Sequence, residues 1–373
     1  MVEIREVTSK QDLKKFVDYP NRLYKGNPYY VPSTFEDDVA DWDREKNPAF
    51  EYCEGKCFLA YRDGRIVGRI GAILSNVANR KWGHKRMRFT QVDFIDDAEV
   101  VDALFGAVEA YAREKDCLEV HGPLGFSDLD REGMLVEGYD RRSLFYTYYN
   151  HPYYNEHMER IGYTKDTDWV EMLIHVPEHP PEKLIRIAEL VQKRGKYTIA
   201  KLNSRRDIKP YIRAAFDLLN DAYQHLYGVV PLTQRQVVHY TNKFLPLLDP
   251  RFIKFILNEE GELVAFGVAA PSLSGAFQKN GGRLFPFGFL QVLRALKGRN
   301  EALELFLVAV RPDLQGSGVN SILINEILKN VVGTSIRFAE TGPELETNEK
   351  VQAQWRFFET EQHKRRRCYI KAL

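Results

Sequence analysis

Apolar and polar residues alternate along the chain in two successive series that match one another. Near the start, VEIREV alternates as a strand does and runs into Ser9, Asp12, Leu13, Lys14 and Phe16. Past the middle, YTIAKL runs in the same way into Ser204, Asp207, Ile208, Lys209 and Tyr211. Each reads as a strand feeding a helix whose free N–H groups a serine caps. Next, FLAYRDGRIVGRIGA from Phe58 matches FILNEEGELVAFGVAA from Phe255. Their turns at Asp63-Gly64 and Glu260-Gly261 predict two β-hairpins. MRFTQVDFIDD and LELFLVAVRPD are apolar strands ending near Asp97 and Asp313. A helix is predicted after each, from about Val100 to Glu114, with Leu104, Val108 and Tyr111 on one face, and from about Asn320 to Val331. LEVHGP and RFAETGP then read as strands ending at Gly122-Pro123 and Gly342-Pro343.

Two copies of one strand and helix order predict an α/β chain of two tandem domains, each a mixed sheet with helices on both faces. Pro177, Pro180 and Pro181 interrupt any element that would cross the join, so the domains are expected at 1–178 and 179–373. The spacing between matched segments widens in the second copy, which places an insertion at about 272–300. Its core, RLFPFGFLQVLRALKGRN, predicts a short helix carrying Phe289, Val292, Leu293 and Leu296 beside Arg294, Lys297 and Arg299. Such a helix suits a lid, a subunit contact, packed surface or a membrane face.

Composition narrows the class. The 373 residues carry 53 Lys and Arg against 52 Asp and Glu, so no overall basic field favours nucleic acid or an anionic membrane. The longest uncharged stretch, Leu263 to Gln278, is too short to span a bilayer. MVEIREVTSKQDLKK lacks the apolar core of a secretory leader, and the expected location is the cytoplasm. Cys53 and Cys57 lack the further ligands of a zinc set, and no metal is expected.

The chemistry concentrates after the strand at 303–310. Gln315-Gly316-Ser317-Gly318-Val319-Asn320 places two glycines at a helix start, where unpaired backbone N–H groups and the helix dipole attract an anion. The spacing fits neither the dinucleotide fingerprint nor the P-loop. With the lead-in Val310, Pro312 and Gln315, the segment resembles the pyrophosphate loop of the GNAT acyltransferase superfamily, whose pattern is Q/R-x-x-G-x-G/A. Asn320 departs from the small residue usual at its position. The first copy has Ile95-Asp96-Asp97-Ala98-Glu99 instead, and three carboxylates there would repel a diphosphate.

The resemblance implies a tandem GNAT arrangement with a degenerate N-terminal repeat. It further implies acetyl-CoA or another acyl-CoA as co-substrate, with pantetheine along Val308, Ala309 and Val310 and diphosphate on the amides of Gln315 to Asn320. The acyl group would pass directly to an amine of a small molecule or peptide, which requires a base for the amine proton and an acid for the leaving thiolate. Glu304 resembles the family's general-base glutamate in placement, and Glu340 is its rival. The family's N-x-x-A-x-x-x-Y pattern can begin at Asn348, but Val351 and Trp355 take its later positions, which leaves Tyr369 as a distant acid. Alternatives are a catalytically silent ligand-binding relative and a Fem-like aminoacyl transferase; a dimer is compatible with either.

Three further features stay open in sequence. HKRRRCY (His363–Tyr369) suits recognition of a phosphate or carboxylate, or a closing strand of alternating charge. Tyr146, Tyr148, Tyr149, Tyr153 and Tyr154 with His151 suit a pocket wall or packed core. Asp128, Asp130 and Glu132, near Ser127, could hold a cationic amine or lie in a solvated loop.

Overall fold

The computed structural model describes residues 1–373. In chain order the first half holds β1 (Glu3–Glu6), α1 (Lys10–Leu23), α2 (Phe35–Asp41), β2 (Cys53–Arg62), β3 (Arg65–Ser75), α3 (Asn76–Trp82), β4 (Arg86–Phe94), α4 (Ala98–Glu114), β5 (Glu119–Gly122), β6 (Met134–Glu137), α5 (Tyr153–Arg160) and β7 (Thr164–His175). The second half holds α6 (Glu182–Arg194), β8 (Thr198–Ile199), α7 (Ile212–Tyr223), α8 (Gln234–Phe244), β9 (Ile253–Leu257) and β10 (Leu263–Pro271). After these come α9 (Ser274–Asn280), α10 (Gly288–Lys297), β11 (Ala302–Val310), α11 (Val319–Leu328), β12 (Phe338–Thr341), β13 (Glu344–Leu345), α12 (Glu349–Gln352) and β14 (Thr360–Ala372).

The chain forms two compact units, and both are discontinuous. The first comprises Met1–Val170, Ser274–Val292 and Lys364–Leu373; the second comprises Glu171–Leu273 and Leu293–His363. The segment between β7 and α6, which contains the expected join at 178, is irregular chain.

In the first unit the strands run in the order β1, β2, β3, β4, β5 and the C-terminal part of β14, with only the β4–β5 pair parallel. The hairpin register closes at Arg62 and Arg65 around the predicted Asp63-Gly64 turn. Nearly every residue of β4 and of the second half of β3 is buried, because helices cover both faces. On one face Val100, Leu104, Phe105 and Val108 of α4 meet Ile70, Ala72, Phe89 and Phe94. On the other, Phe16 and Val17 of α1 meet Cys57 and Leu59. Each fully buried Phe or Leu contributes about 1.5–3 kcal/mol relative to its exposed state. The predicted cap of α1 is present, Ser9 Oγ accepting from the Asp12 N–H at 3.1 Å.

The second unit repeats this order as β8, β9, β10, β11, β12 and the end of β7, again with one parallel pair, β11–β12. Ala188 of α6 and Val319, Ile322 and Leu323 of α11 close over Ile256, Val264 and Ala265. The expected strand YTIAKL is shorter than its pattern suggests, since only Thr198 and Ile199 pair with β9. Capping at Ser204 opens a 3-10 turn, Arg205–Tyr211, before α7.

The sixth strand of each sheet comes from the far end of the other repeat. β7, which ends the first repeat, pairs through Leu173–His175 with β12 of the second unit. β14, which ends the second, pairs through Tyr369–Ala372 with β5 of the first.

Candidate functional site

The glycine turn of the second unit is built from three local decisions. Pro312 opens a short 3-10 turn after β11, Gly316 and Gly318 take φ of +79° and +93°, and α11 begins at Val319. Gly318 has two reasons to be glycine. A side chain disfavours its left-handed backbone, and a Cβ there would lie 3.0 Å from Val191 Cγ2 of α6. No side chain caps α11. The N–H of Ser317 donates to Leu314 and that of Ser321 to Gly318, whereas those of Gly316, Gly318, Val319 and Asn320 have no acceptor within the chain. Gln315, Gly316 and Ser317 are exposed, so an anion can reach these donors. Asn320 does not crowd the turn: its Nδ2 donates to Gln354 Oε1 at 2.9 Å. The loop thus fits the diphosphate of an acyl-CoA on its backbone geometry.

Beside the turn, β11 has one free edge. β12 pairs with it only from Ala302 to Leu305, so Leu307 to Val310 are paired to β10 alone. Within this stretch β10 and β11 slip by one residue, Val268 facing Leu307 and Ala269 facing Leu305, which leaves Phe306 as a bulge. Val308 and Val310 are only partly buried, and the Val308 carbonyl accepts from the Tyr223 hydroxyl at 3.0 Å. Asn348 caps α12, its side chain accepting from the Val351 N–H at 3.4 Å. Trp355 donates its indole N–H to Glu344 at 3.1 Å. Burial pushes the Glu344 carboxyl up to about 7.

The two candidate bases are neighbours. Glu304 and Glu340 sit opposite one another in the parallel β11–β12 register, which places both side chains on one face of the sheet. Glu304 is fully buried and accepts from the Ser272 hydroxyl at 2.6 Å. The Glu340 side chain keeps 14% of its exposure and lies 3.3 Å from Nε2 of His363, at the end of the second unit. Glu171, at the beginning of that unit and fully buried, completes a cluster in which one atom from each of Glu171, Glu340 and His363 lies within 4.8 Å of the others. Two carboxylates and an imidazole at that spacing can share a proton or hold a cation. Sequence reasoning missed Glu171 and did not link His363 to Glu340, because the three residues sit on strands far apart in the chain.

The remaining candidates belong to the first unit. Tyr369 is buried there, and its hydroxyl donates to Asn155 Oδ1 at 2.8 Å. Burial pushes the phenol up to about 12. Of the cations after His363, Arg365 and Arg367 both donate to Asp168, while Lys364 and Arg366 are buried. The tyrosine-rich stretch divides: Tyr154 is buried and shares a hydrogen bond with Tyr24, whereas Tyr148 and Tyr149 line a cavity with Tyr30, Arg131 and the buried Arg69–Asp93 ion pair. Asp128 is pushed up to about 6 by burial. His121, Asp166 and Cys368 form a second group of converging ligand atoms. All four cysteines are free and buried. No helix is long and apolar enough to cross a membrane.

Comparison with known proteins agrees with this architecture. No family model matches the chain. It is 28% identical to protein YghO of Escherichia coli strain K12 across 99% of this chain and 95% of that protein. It is 27% identical to a bacterial ceramide synthase of Caulobacter vibrioides, across 83% of this chain and 81% of that one. Among solved structures, a tandem GNAT protein from the clavulanic acid biosynthesis pathway aligns over 100% of this chain and 98% of its own, with a TM-score of 0.57 and 13% identity. The repeated strand order, the glycine turn after the fourth strand of the second copy and this full-length likeness identify the fold as that of the tandem GNAT proteins.

Proposed function

We propose that the protein is an acyltransferase that moves an acyl group from an acyl-CoA directly to an amine, with the second unit holding the CoA. The observation that carries this reading is the open helix terminus at Gly316–Asn320, set immediately beyond the unpaired edge of β11. The terminus suits a diphosphate, and the free edge of Val308–Val310 suits the amides of a pantetheine arm. The first repeat binds no CoA in this reading, because acidic residues stand where the loop would be. The relative named as a ceramide synthase adds support. A ceramide is an amide between a fatty acyl group and a long-chain amino alcohol, so transfer to nitrogen fits and a lipid amine enters the range of acceptors.

Glu340 is assigned as the base that takes the amine proton, since it is the partly exposed member of the Glu304–Glu340 pair and His363 lies beside it. Glu304, sealed under Ser272, holds its place in the same register. Tyr369, with its phenol raised to about 12, is a weaker acid than a thiol, and the reading assigns it no proton transfer. A silent CoA-binding protein is the second reading, favoured by Trp355 where a tyrosine acid is usual.

The test is calorimetric titration with acetyl-CoA and a long-chain acyl-CoA, followed by mass spectrometry of amine mixtures that include a long-chain amino alcohol. Binding of either thioester with formation of an amide supports the reading. Binding without thioester consumption favours the silent protein, and no binding by either thioester removes both readings.

A further inference from the structure

The insertion leaves an apolar surface whose chemistry is not needed for acyl transfer. Ten large hydrophobic side chains of the whole chain are exposed, and five of them, Phe285, Phe287, Phe289, Leu290 and Leu293, fall between residues 285 and 293. The helix α10 is seated by Val292 and Leu296, each 4% exposed, so Phe289, Leu290 and Leu293 are what remains on its outer arc. Phe285 and Phe287, in the turn before it, are 71% and 73% exposed. Concentrated exposure of this kind is uncommon on a surface that meets only water.

The segment itself also carries charge of one sign. No Asp or Glu occurs between Glu262 and Glu301, whereas Lys279, Arg283, Arg294, Lys297 and Arg299 do. Arg283 is neutralised by Asp18 at 2.7 Å and stacks on Phe35, which fixes the base of the insertion to the first unit together with the Gln278 bonds to the carbonyls of Pro28 and Tyr30. Lys279, Arg294, Lys297 and Arg299 are exposed and form no ion pair. Arg294 and Lys297 share the outer arc of α10 with its leucines. On a chain whose net charge is +1, this is a local excess of cations around an apolar face.

We infer that this face docks on the surface of an anionic phospholipid bilayer, with Phe285, Phe287, Phe289, Leu290 and Leu293 entering the interface and Arg294 and Lys297 over lipid phosphates. A basic amphipathic helix with aromatic residues at its apolar face lies at that depth, gaining from apolar burial and from the negative surface potential. A second copy of the chain is the competing occupant, and charge argues against it. A symmetric contact through the outer arc of α10 would bring Arg294 and Lys297 of two copies together, although Glu36, which accepts from the Leu284 N–H at 3.4 Å, borders the patch at its base. Docking is independent of the acyl-transfer reading.

Co-sedimentation of the full chain with vesicles of phosphatidylcholine alone, or mixed with phosphatidylglycerol, tests it without any CoA. The chain is expected to pellet with the mixed vesicles. Phe287→Ser combined with Phe289→Ser should lower the partition coefficient roughly tenfold or more. Arg294→Gln and Lys297→Gln should each lower it about fivefold at low salt and have little effect at high salt. Circular dichroism melting checks that the variants fold. The inference is overturned if the unaltered chain stays in the supernatant with both vesicles, or if the serine variant pellets equally well. It is also overturned if serine substitution dissociates an oligomer in the ultracentrifuge without lipid. Acyl transfer to a water-soluble amine, measured in parallel, shows whether the Proposed function stands when docking fails.

Discussion

The same helix start appears twice in this molecule, once closed and once open. In the first unit Asp97 caps α4 by accepting from the Val100 N–H at 3.2 Å, and Arg62 donates to both Asp97 oxygens at 2.7 and 2.9 Å and to Glu99 at 2.8 Å. The protein's own carboxylate occupies the position an anionic ligand would take. In the second unit Gly318 stands at the cap, offers no side chain and leaves the donors to solvent. The surrounding strand order is the same in both. The same strand framework is thus kept while the residue at the helix cap, Asp97 in one unit and Gly318 in the other, sets whether the helix start is closed or open.

The largest expected effect tests that comparison directly. Gly316→Glu with Gly318→Glu would give the open turn the carboxylates of the closed one, and acyl-CoA affinity by calorimetry should fall at least roughly 100-fold. The matching change in the first unit, Asp97→Ala, should leave that affinity unaltered. Equal losses in the two variants would mean that the diphosphate is not held by the second loop.

Next in size is the chemistry downstream of the turn. Glu340→Gln removes a proton acceptor but keeps size and burial, so turnover should fall roughly 100-fold with CoA affinity nearly unchanged. Glu304→Gln should slow turnover less, because the side chain is fully buried and one of its oxygens already accepts from Ser272. If Glu304→Gln is the more damaging change at equal melting temperature, the assignment within the pair is reversed.

How far the chain could be read from its sequence follows the range of each interaction. The hairpins at Asp63-Gly64 and Glu260-Gly261, the Ser9 cap and the glycine turn are local, and each was legible from a few adjacent residues. The reciprocal placement of β7 and β14 was not. Neither strand carries a signal for which sheet it joins, since strands pair through their backbones. The carboxylate and histidine cluster was hidden for the same reason: Glu171 and His363 reach Glu340 only after those strands are placed. HKRRRCY was obscured by its own alternation, as a run of cations says nothing of which ones, here Lys364 and Arg366, turn inward.

Both repeats also hold an acid raised by desolvation after their Gly-Pro pair, Asp128 five residues past Pro123 and Glu344 directly after Pro343. Glu344 Oε2 is buried without a hydrogen-bond partner, and desolvation raises the group from 4.5 to about 7. The folded state therefore holds a proton that the unfolded chain releases. Its contribution to stability is complete below pH 4.5, is lost progressively as pH rises toward 7, and is constant above that. Urea unfolding at pH 5 and pH 8 should show Glu344→Gln escaping a loss of about 1–3 kcal/mol that the unaltered protein suffers. An identical pH dependence in both would place Glu344 in contact with water.

The smallest effect concerns the closed turn alone. Asp97→Ala removes a helix cap and one end of an exposed ion-pair network, and should destabilise the first unit by about 1 kcal/mol at pH 7. The Arg62 hydrogen bonds hold the Asp97 carboxyl at about 2, below the ordinary 3.8. Its charge thus adds stability above pH 3.8, and that share disappears as pH falls through 2. Asp97→Asn separates the parts, since an amide oxygen can still accept from Val100 while the charge facing Arg62 is gone. If the asparagine variant melts with the unaltered protein at pH 7, the turn is closed by capping and the ion pairs with Arg62 add little. If it melts with the alanine variant, the carboxylate's charge keeps the first unit's helix start shut.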